Sequence, residues 1–136
     1  MRGAEHFLAG AEFAQEFTAA AGVPCRLDLP EDLPERPVPS RIRHHVCMLL
    51  KESLHNAVTH GRPREVLVTL GVQGSVLRLT VCDDGCGFDR ARVPAGESGR
   101  RSGLAAMQQR ADEVGGTLVV DSAPGAGTTI RIDIGI

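Results

Sequence analysis

The sequence contains no tryptophan, no tyrosine and only four phenylalanines, so large aromatic rings cannot supply most of a hydrophobic core. The core must instead be built from leucine, valine, isoleucine and alanine, which suits helices packed on a β-sheet. The sequence also has no stripe of lysine and arginine interleaved with aromatic residues, and its formal net charge is -2. These features argue against a groove for nucleic acid, and we expect no nucleic-acid partner.

Apolar runs long enough to span a membrane are also missing, and residues 1–21 lack the basic start, apolar stretch and cleavage site of a secretory signal. The four cysteines include no C-x-x-C pair, and no histidine completes the spacing of a zinc site, which predicts reduced thiols. These are Cys25, Cys47, Cys82 and Cys86. We therefore expect a cytoplasmic protein that makes no membrane contact.

Three segments have the helical spacing of apolar side chains that predicts an amphipathic helix. The first covers residues 5–21, the second runs from Ser40, a predicted N-cap, to Gly61, and the third covers residues 104–114. Four prolines between residues 30 and 39 predict an irregular connection before the second helix. With 136 residues the chain fits one domain, which we expect to comprise residues 1–136.

Five segments have the composition and alternation of β-strands. They are residues 25–29, 65–72, 75–83, 117–122 and 128–134. Gln73-Gly74 is predicted to be the two-residue turn of a hairpin. Residues 84–103 are rich in glycine and charge and have little apolar periodicity, which predicts a long loop of the kind that often carries function.

Two polar residues of the second predicted helix could take part in chemistry. Glu52 and Asn56 lie one turn apart, just beyond the edge of the apolar arc. A carboxylate and an amide would thus flank the core rather than face open water. An exposed polar row gives the same spacing, so the Glu-x-x-x-Asn pattern alone leaves both interpretations open.

Asp83 ends a predicted strand and shares its parity with the apolar residues Leu77, Leu79 and Val81, so it is expected to point toward the core. A buried carboxylate needs a partner. Gly85 and Gly87 follow it and would let the backbone approach a ligand. The alternative is an ordinary turn in which the aspartate accepts a hydrogen bond from a neighbouring backbone amide.

Thr128 begins the last predicted strand and shares its parity with three isoleucines, which would place its hydroxyl on the inward face. Gly96, Gly99 and Gly103 precede the third helix, whose N-terminal amides could bind phosphate, although these glycines could equally provide flexibility alone. The sequence has neither a G-x-x-x-x-G-K-[ST] motif nor the glycine spacing of a dinucleotide fold. Any nucleotide must therefore bind in another way.

Several motifs in this order resemble those of the GHKL ATPases, and more narrowly the catalytic ATP-binding domain of two-component sensor histidine kinases that pair with helix-turn-helix response regulators. The resemblance covers the chain from about residue 23 onward. The motifs are Glu52-Ser-Leu-His-Asn56-Ala-Val-Thr-His60, Asp83-Asp-Gly-Cys-Gly-Phe88, Ser102-Gly-Leu-Ala-Ala-Met107-Gln-Gln-Arg110, Gly115-Gly116 and Pro124-Gly-Ala-Gly-Thr128.

The resemblance implies roles for the residues that match these motifs. Asn56 is expected to help hold Mg²⁺ on the nucleotide phosphates, and Glu52 to orient water or act as a base near the γ-phosphate. Asp83 is expected to accept a hydrogen bond from the adenine amino group, and Thr128 to support it through water. The other residues implied to bind ATP are His60, Gly85, Gly87, Gly103 and Leu104.

The resemblance also implies the architecture and the partners. The expected fold class is an α/β (α+β) two-layer sandwich with a mixed, mainly antiparallel five-stranded sheet and three helices on one face. Residues 89–102 would form the ATP lid, and Gly103 would begin the helix that follows it. No histidine of the chain has the H-[DE] context of a phosphoacceptor, so the acceptor is expected on a dimerisation helical domain of the same or another chain, with a response regulator downstream.

The sequence departs from the family pattern at two points. Relatives usually carry Lys or Arg before His60, where this chain has Thr59. The expected lid contains Arg100-Arg101-Ser102, where relatives often have a glycine with histidine or asparagine. Three functions remain open at this point: transfer of the γ-phosphate of ATP to a histidine, transfer to a serine of a partner protein as in anti-sigma-factor kinases, and nucleotide-controlled binding without catalysis.

Overall fold

Within residues 8–28, 38–89 and 98–136, which the computed structural model describes, three α-helices cover one face of a five-stranded sheet. The helices are α1 (Leu8–Ala20), α2 (Ser40–Asn56) and α3 (Ser98–Glu113), and the π-helical turn Ala57–Gly61 extends α2. The strands are β1 (Cys25–Asp28), β2 (Val66–Gln73), β3 (Val76–Asp83), β4 (Thr117–Ser122) and β5 (Thr128–Gly135).

The strands lie in the order β1-β2-β3-β5-β4. Strand β1 is parallel to β2, and every other neighbouring pair is antiparallel. The predicted fold class, a two-layer α/β sandwich with a mixed and mainly antiparallel sheet, is confirmed. The register sets Asp83 of β3 opposite Thr128 of β5, and sets Thr128 opposite Ser122 of β4.

The core lies between the helices and one face of the sheet, because successive side chains of a strand point to opposite faces. The inward positions of the central strands are almost fully buried, and α1, α2 and α3 contribute Ala14, Leu54 and Met107 to the same core. These strand positions are Val66, Val68, Leu70, Leu77, Leu79, Val81, Ile130, Ile132 and Ile134. Burial of such side chains stabilises the fold by roughly 1.5–3 kcal/mol each.

The N-cap of α2 differs from the prediction. The cap position is taken by Pro39, whose carbonyl accepts a hydrogen bond from the Arg43 amide at 3.0 Å, and Ser40 is already in the helix. The Ser40 hydroxyl accepts a hydrogen bond from the Arg43 guanidinium at 2.8 Å. The Ser40 hydroxyl is therefore bonded to a side chain within the helix and does not cap it, so the predicted N-cap at Ser40 is wrong.

The hairpin between β2 and β3 turns one residue later than predicted. Gln73 pairs with Val76, so Gly74 and Ser75 are the central residues of the turn. Gly74 has a φ of +62°, and Ser75 is not among the residues of positive φ. Glycine at the first central position is what a type II′ turn requires, which explains the shift.

Helix α3 begins at Ser98, whereas the sequence predicted a loop up to Gly103 and a helix from residue 104. Residues 90–97 of the expected lid lie outside the described residues. Gly103 therefore lies inside the helix and does not begin it. No helix in the described part of the chain is long and apolar enough to cross a membrane.

Candidate functional site

A small cavity lies where the end of α2 meets one end of the sheet and the first half of α3. Side chains and backbone from α2, β3, α3 and β5 form its walls. The lining residues are Asn56, Gly61, Asp83, Phe88, Leu104, Thr128 and Ile130. The motifs singled out in the sequence thus supply most of this cavity, although they are distant along the chain.

Asp83 points into the covered side of the sheet, as its parity predicted, and is only 7% exposed. Its Oδ1 accepts a hydrogen bond from the backbone amide of Gly85 at 2.8 Å. This is the local turn contact that the sequence offered as an alternative to a binding role. Both features occur together, because a carboxylate can accept several hydrogen bonds.

Glycine is required after Asp83 for a reason of packing. A Cβ on Gly85 would collide with the backbone carbonyl of Gly61 and would lie 2.8 Å from Asp83 Oδ1. The Cys86 amide donates to the same Gly61 carbonyl at 2.7 Å. The end of α2 therefore rests directly on the turn that follows β3, which holds Asn56 and Asp83 at the walls of one cavity.

Gly87 has a φ of +63°, and a Cβ there would collide with the carbonyl of Ala123. The close approach permitted by both glycines is thus to the protein's own backbone. The Gly125 amide, in the turn between β4 and β5, donates to the Cys86 carbonyl at 2.6 Å. These contacts hold the glycine-containing turn against the start of β5.

Glu52 and Asn56 lie beneath α3 rather than in an exposed row. A Cβ built on Gly103 would lie 2.9 Å from both Glu52 Oε1 and Asn56 Oδ1. Asn56 Nδ2 is buried and has no hydrogen-bond partner among the described residues. The structure thus places Glu52, Asn56 and Gly103 together, and glycine allows the helix to lie this close.

The acidic residue next to Asp83 has a structural task. Asp84 Oδ1 accepts hydrogen bonds from the amides of Glu65 and Arg64, at 3.0 and 2.8 Å, and these bonds lower the pKa of the Asp84 carboxyl below its usual range. Asp84 therefore fixes the start of β2.

His60 contributes its backbone carbonyl, which accepts a hydrogen bond from the Cys86 thiol at 3.3 Å. His60 is not among the described residues that line the cavity.

Ser122 belongs to the same site, although none of the motifs in the sequence includes it. Its Oγ accepts a hydrogen bond from the Phe88 amide at 2.9 Å and lies 3.0 Å from the Gly127 carbonyl and 2.9 Å from Thr128 Oγ1. Ser122 has the parity of Leu118 and Val120, which pack against the core. That parity is a signal in the sequence, but the contact with Thr128 depends on the register of β4 against β5.

Helices α2 and α3 are also joined at the end remote from the cavity. His45 is 8% exposed, and its Nε2 lies 2.8 Å from Glu113 Oε2 while its Nδ1 lies 2.9 Å from the Arg41 carbonyl. The hydrogen bond from His45 is the main cause that lowers the pKa of the Glu113 carboxyl. The Arg41 guanidinium donates to the Glu113 carbonyl at 2.5 Å, so α3 is tied to α2 through two groups.

The cavity has little free space. The volume open to the centre of a water molecule is about 10 Å³, which is room for roughly one water. A larger ligand therefore requires lining side chains such as Phe88 or Leu104 to move aside. Leu104 belongs to α3, the same helix that covers Glu52 and Asn56.

The family of the chain follows from comparison with known proteins. Residues 42–135 match the family described as histidine kinase-, DNA gyrase B-, and HSP90-like ATPase. This segment is more than half of the chain and contains every residue that lines the cavity. The chain belongs to this family of ATPases.

The chain is also similar to part of several larger bacterial proteins. It is 34% identical over 110 residues to the sensor histidine kinase LiaS of Bacillus subtilis, which covers 81% of this chain and 29% of LiaS. It is 32% identical over 118 residues to the nitrate/nitrite sensor protein NarX of Escherichia coli, which covers 87% of this chain and 19% of NarX. The chain thus spans less than a third of the length of these curated relatives.

A solved structure shares the fold. The histidine kinase domain of a blue-light activated histidine kinase from Erythrobacter litoralis matches 96% of this chain and 60% of that chain, with a TM-score of 0.75. The sequence identity is 22%, so this likeness shows the architecture alone.

Proposed function

We propose that this chain binds Mg·ATP and donates the γ-phosphate to a histidine on a dimerisation and phosphoacceptor helical segment that this chain does not contain. The observation that carries the proposal is the juxtaposition of Asp83 and Thr128 at one wall of a covered cavity, with Asn56 at another wall. Membership of a family of ATPases and the similarity to LiaS, which is named as a sensor histidine kinase, support the same function.

Asp83 is proposed to select adenine. A carboxylate only accepts hydrogen bonds, and the amino group of adenine donates them, whereas guanine presents a carbonyl acceptor at the same position. The low exposure of Asp83 raises the cost of a mismatch, because a buried polar group that loses its partner is not rehydrated. Thr128, directly across the strand pair, would bind a water that bridges to the ring.

Asn56 is proposed to contribute an oxygen ligand to Mg²⁺. Its Nδ2 has no hydrogen-bond partner among the described residues, so that end of the amide is not fixed and its oxygen can turn toward a cation. Mg²⁺ prefers oxygen ligands and retains several waters and phosphates, so one amide oxygen from the protein is enough. The residues present therefore fit the ion, which would neutralise charge on the phosphates when bound.

Glu52 is proposed to orient the attacking group or to act as a base near the γ-phosphate. It lies one turn before Asn56, and both side chains abut the same point of α3 at Gly103. Phosphoryl transfer depends chiefly on positioning and charge neutralisation, so few residues need to act directly. Helix α3 must shift to admit the phosphates, since it covers both side chains.

The partners follow from the proposed reaction. The acceptor histidine would lie on a helical dimerisation domain of the same or another chain, and a response regulator would receive the phosphoryl group next, in two-component signalling. LiaS, a relative named as a sensor histidine kinase, favours histidine over serine as the acceptor.

The test of the proposed function measures how ATP binding depends on Mg²⁺. Calorimetric titration of ATP, with Mg²⁺ and with a chelator, is performed on the wild-type chain, Asn56→Ala and the exposed control Gln109→Ala. We expect Mg²⁺ to strengthen ATP binding by about 10-fold or more in the wild type and control, and to have little effect in Asn56→Ala. Binding that ignores Mg²⁺ in the wild type would contradict the role of Asn56.

The acceptor is tested with radiolabelled ATP and a separately produced phosphoacceptor domain of LiaS. A labelled product that is labile in acid and stable in base indicates phosphohistidine, and Glu52→Gln is expected to reduce its rate by about 100-fold. An acid-stable product would indicate a serine acceptor and would overturn the proposed histidine chemistry.

A further inference from the structure

Ser122 does not line the cavity, yet it ends a row of three polar residues on the inner face of the sheet. Asp83, Thr128 and Ser122 lie directly opposite one another on β3, β5 and β4. The Ser122 hydroxyl is in contact with three hydrogen-bonding groups, at 2.9 Å from the Phe88 amide, 3.0 Å from the Gly127 carbonyl and 2.9 Å from Thr128 Oγ1. A hydroxyl has one proton and two lone pairs, so these three contacts use its full capacity.

The direction of each bond follows from what the partners can do. The Phe88 amide can only donate, and it occupies one lone pair of Ser122 Oγ. The Gly127 carbonyl can only accept, so it takes the Ser122 proton. The contact that remains must run from Thr128 to Ser122, with the Thr128 hydroxyl as donor.

We propose that Ser122 is a positioning residue for purine selectivity, because it draws the proton of Thr128 away from the cavity so that Thr128 and Asp83 present only acceptors to the base. This inference rests on the proposed binding of ATP. Thr128 and Asp83 both line the cavity, and Ser122 acts through Thr128.

An acceptor-only wall matches the amino group of adenine and opposes the carbonyl of hypoxanthine. The amino group of adenine can donate to Asp83, and a water that donates one proton to Thr128 keeps its second proton for the acceptor nitrogen of the ring. Hypoxanthine has a carbonyl in place of the amino group, and this carbonyl faces acceptors only. The N–H that replaces the ring nitrogen can still donate to a lone pair of the water, so the mismatch lies at the carbonyl. Without the Ser122 hydroxyl, the Thr128 proton is free to turn into the cavity and donate to the carbonyl of hypoxanthine.

The test compares Mg·ATP with Mg·ITP in calorimetric titrations of the wild-type chain, Ser122→Ala and Ser122→Thr. We expect the ratio of ATP to ITP affinity to decrease by about 10-fold in Ser122→Ala, which is the effect of one hydrogen bond gained by ITP. Ser122→Thr keeps the hydroxyl and is expected to keep the ratio within about 2-fold of the wild type.

Thr128→Val separates a positioning role from a general loss of structure. In a Thr128→Val background there is no hydroxyl for Ser122 to direct, so Ser122→Ala is expected to leave the ATP to ITP ratio unchanged. Thermal unfolding checks that each variant is folded. If Ser122→Ala unfolds, Ser122→Cys replaces it, because cysteine keeps the side-chain volume but is a weak donor and acceptor.

Two results would overturn the inference while leaving the proposed function intact. The first is a folded Ser122→Ala chain that binds ATP with the same ratio of ATP to ITP affinity as the wild type. The second is a decrease of this ratio by Ser122→Ala that is equally large in the wild-type and the Thr128→Val backgrounds. A folded wild-type chain that binds neither nucleotide would instead overturn the proposed function, and with it this inference.

Discussion

The two faces of the strand pair β3 and β5 use polar residues in different ways. On the inner face, Asp83 lies opposite Thr128 under the helices, and Asp83 is 7% exposed. On the outer face, Arg78 lies opposite Asp133 in a two-point ion pair, with Nε–Oδ1 and Nη2–Oδ2 distances of 2.7 and 3.1 Å. The Arg78 side chain is 50% exposed and the Asp133 side chain 23%.

The difference shows that position on the sheet decides what a carboxylate can do. Asp133 has a lowered pKa because Arg78 donates hydrogen bonds to it, and Arg131 lies 3.7 Å away on the same face. Its charge is thus neutralised by exposed side chains and by water, which leaves little free energy for a ligand. Asp83 lies in a covered cavity, where each hydrogen bond has more effect on which ligand binds.

The largest difference in stability between the covered site and the outer face of the sheet is expected for glycine substitutions. Gly85→Ala is expected to lower the free energy of unfolding by about 2–3 kcal/mol, a decrease in melting temperature of roughly 5–15 °C, because the new Cβ collides with the Gly61 carbonyl. Gly71→Ala on β2 meets no atom within 4 Å and has no positive φ, so it serves as the matched control. Calorimetric melting of both variants is the measurement, and equal effects would refute the packing argument.

The contact between His45 and Glu113 should have an intermediate effect, since its side chains are 10% and 45% exposed. The pKa of Glu113 is lowered in the folded chain, so its contribution to stability is present above the ordinary carboxyl pKa and is lost as pH falls through the folded value. Glu113→Gln should lower the melting temperature at pH 7, and the difference from the wild type should shrink as pH falls below the ordinary carboxyl pKa and through the lowered pKa of Glu113.

The exposed neighbour Asp112, which accepts a hydrogen bond from Gln108 on the same helix, provides the control for that comparison. Asp112→Asn should leave the melting temperature close to that of the wild type across the pH range. If the Glu113→Gln difference persisted unchanged at acid pH, the carboxylate would not be the group that joins the helices.

The smallest effect is expected on the outer face. Arg78→Ala, Asp133→Ala and the double variant should each change the melting temperature by at most about 2 °C, because water and salt screen an exposed pair. Melting curves at low and high salt measure the coupling between the two residues. A large coupling that persists in high salt would remove the contrast between the two faces.

The sequence predicted the parts of the fold and site that depend on local periodicity. The alternation of β3 and β5 placed Asp83 and Thr128 on the inner face, and both line the cavity. The helical spacing of α2 put Glu52 and Asn56 at the edge of its apolar arc, and they lie where α3 covers that edge.

What the sequence did not predict depends on contacts between distant residues. Gly103 was expected to precede a helix, because residues 84–103 are rich in glycine and charge and have little apolar periodicity. In the structure it lies within α3, where the absence of a side chain leaves room for Glu52 and Asn56. Ser122 was missed for a similar reason, since its partners Phe88 and Thr128 become neighbours only after β4 and β5 are in register.

The most direct test of the account is calorimetric titration of Mg·ATP and Mg·GTP into the wild-type chain, Asp83→Asn and Asp133→Asn. These two variants make the same chemical change on the two faces of the sheet. We predict that the wild type and Asp133→Asn bind ATP equally well and GTP far more weakly, and that Asp83→Asn loses about 10- to 100-fold in ATP affinity. Equal ATP binding by Asp83→Asn and the wild type would contradict the central claim that the inner-face carboxylate recognises adenine.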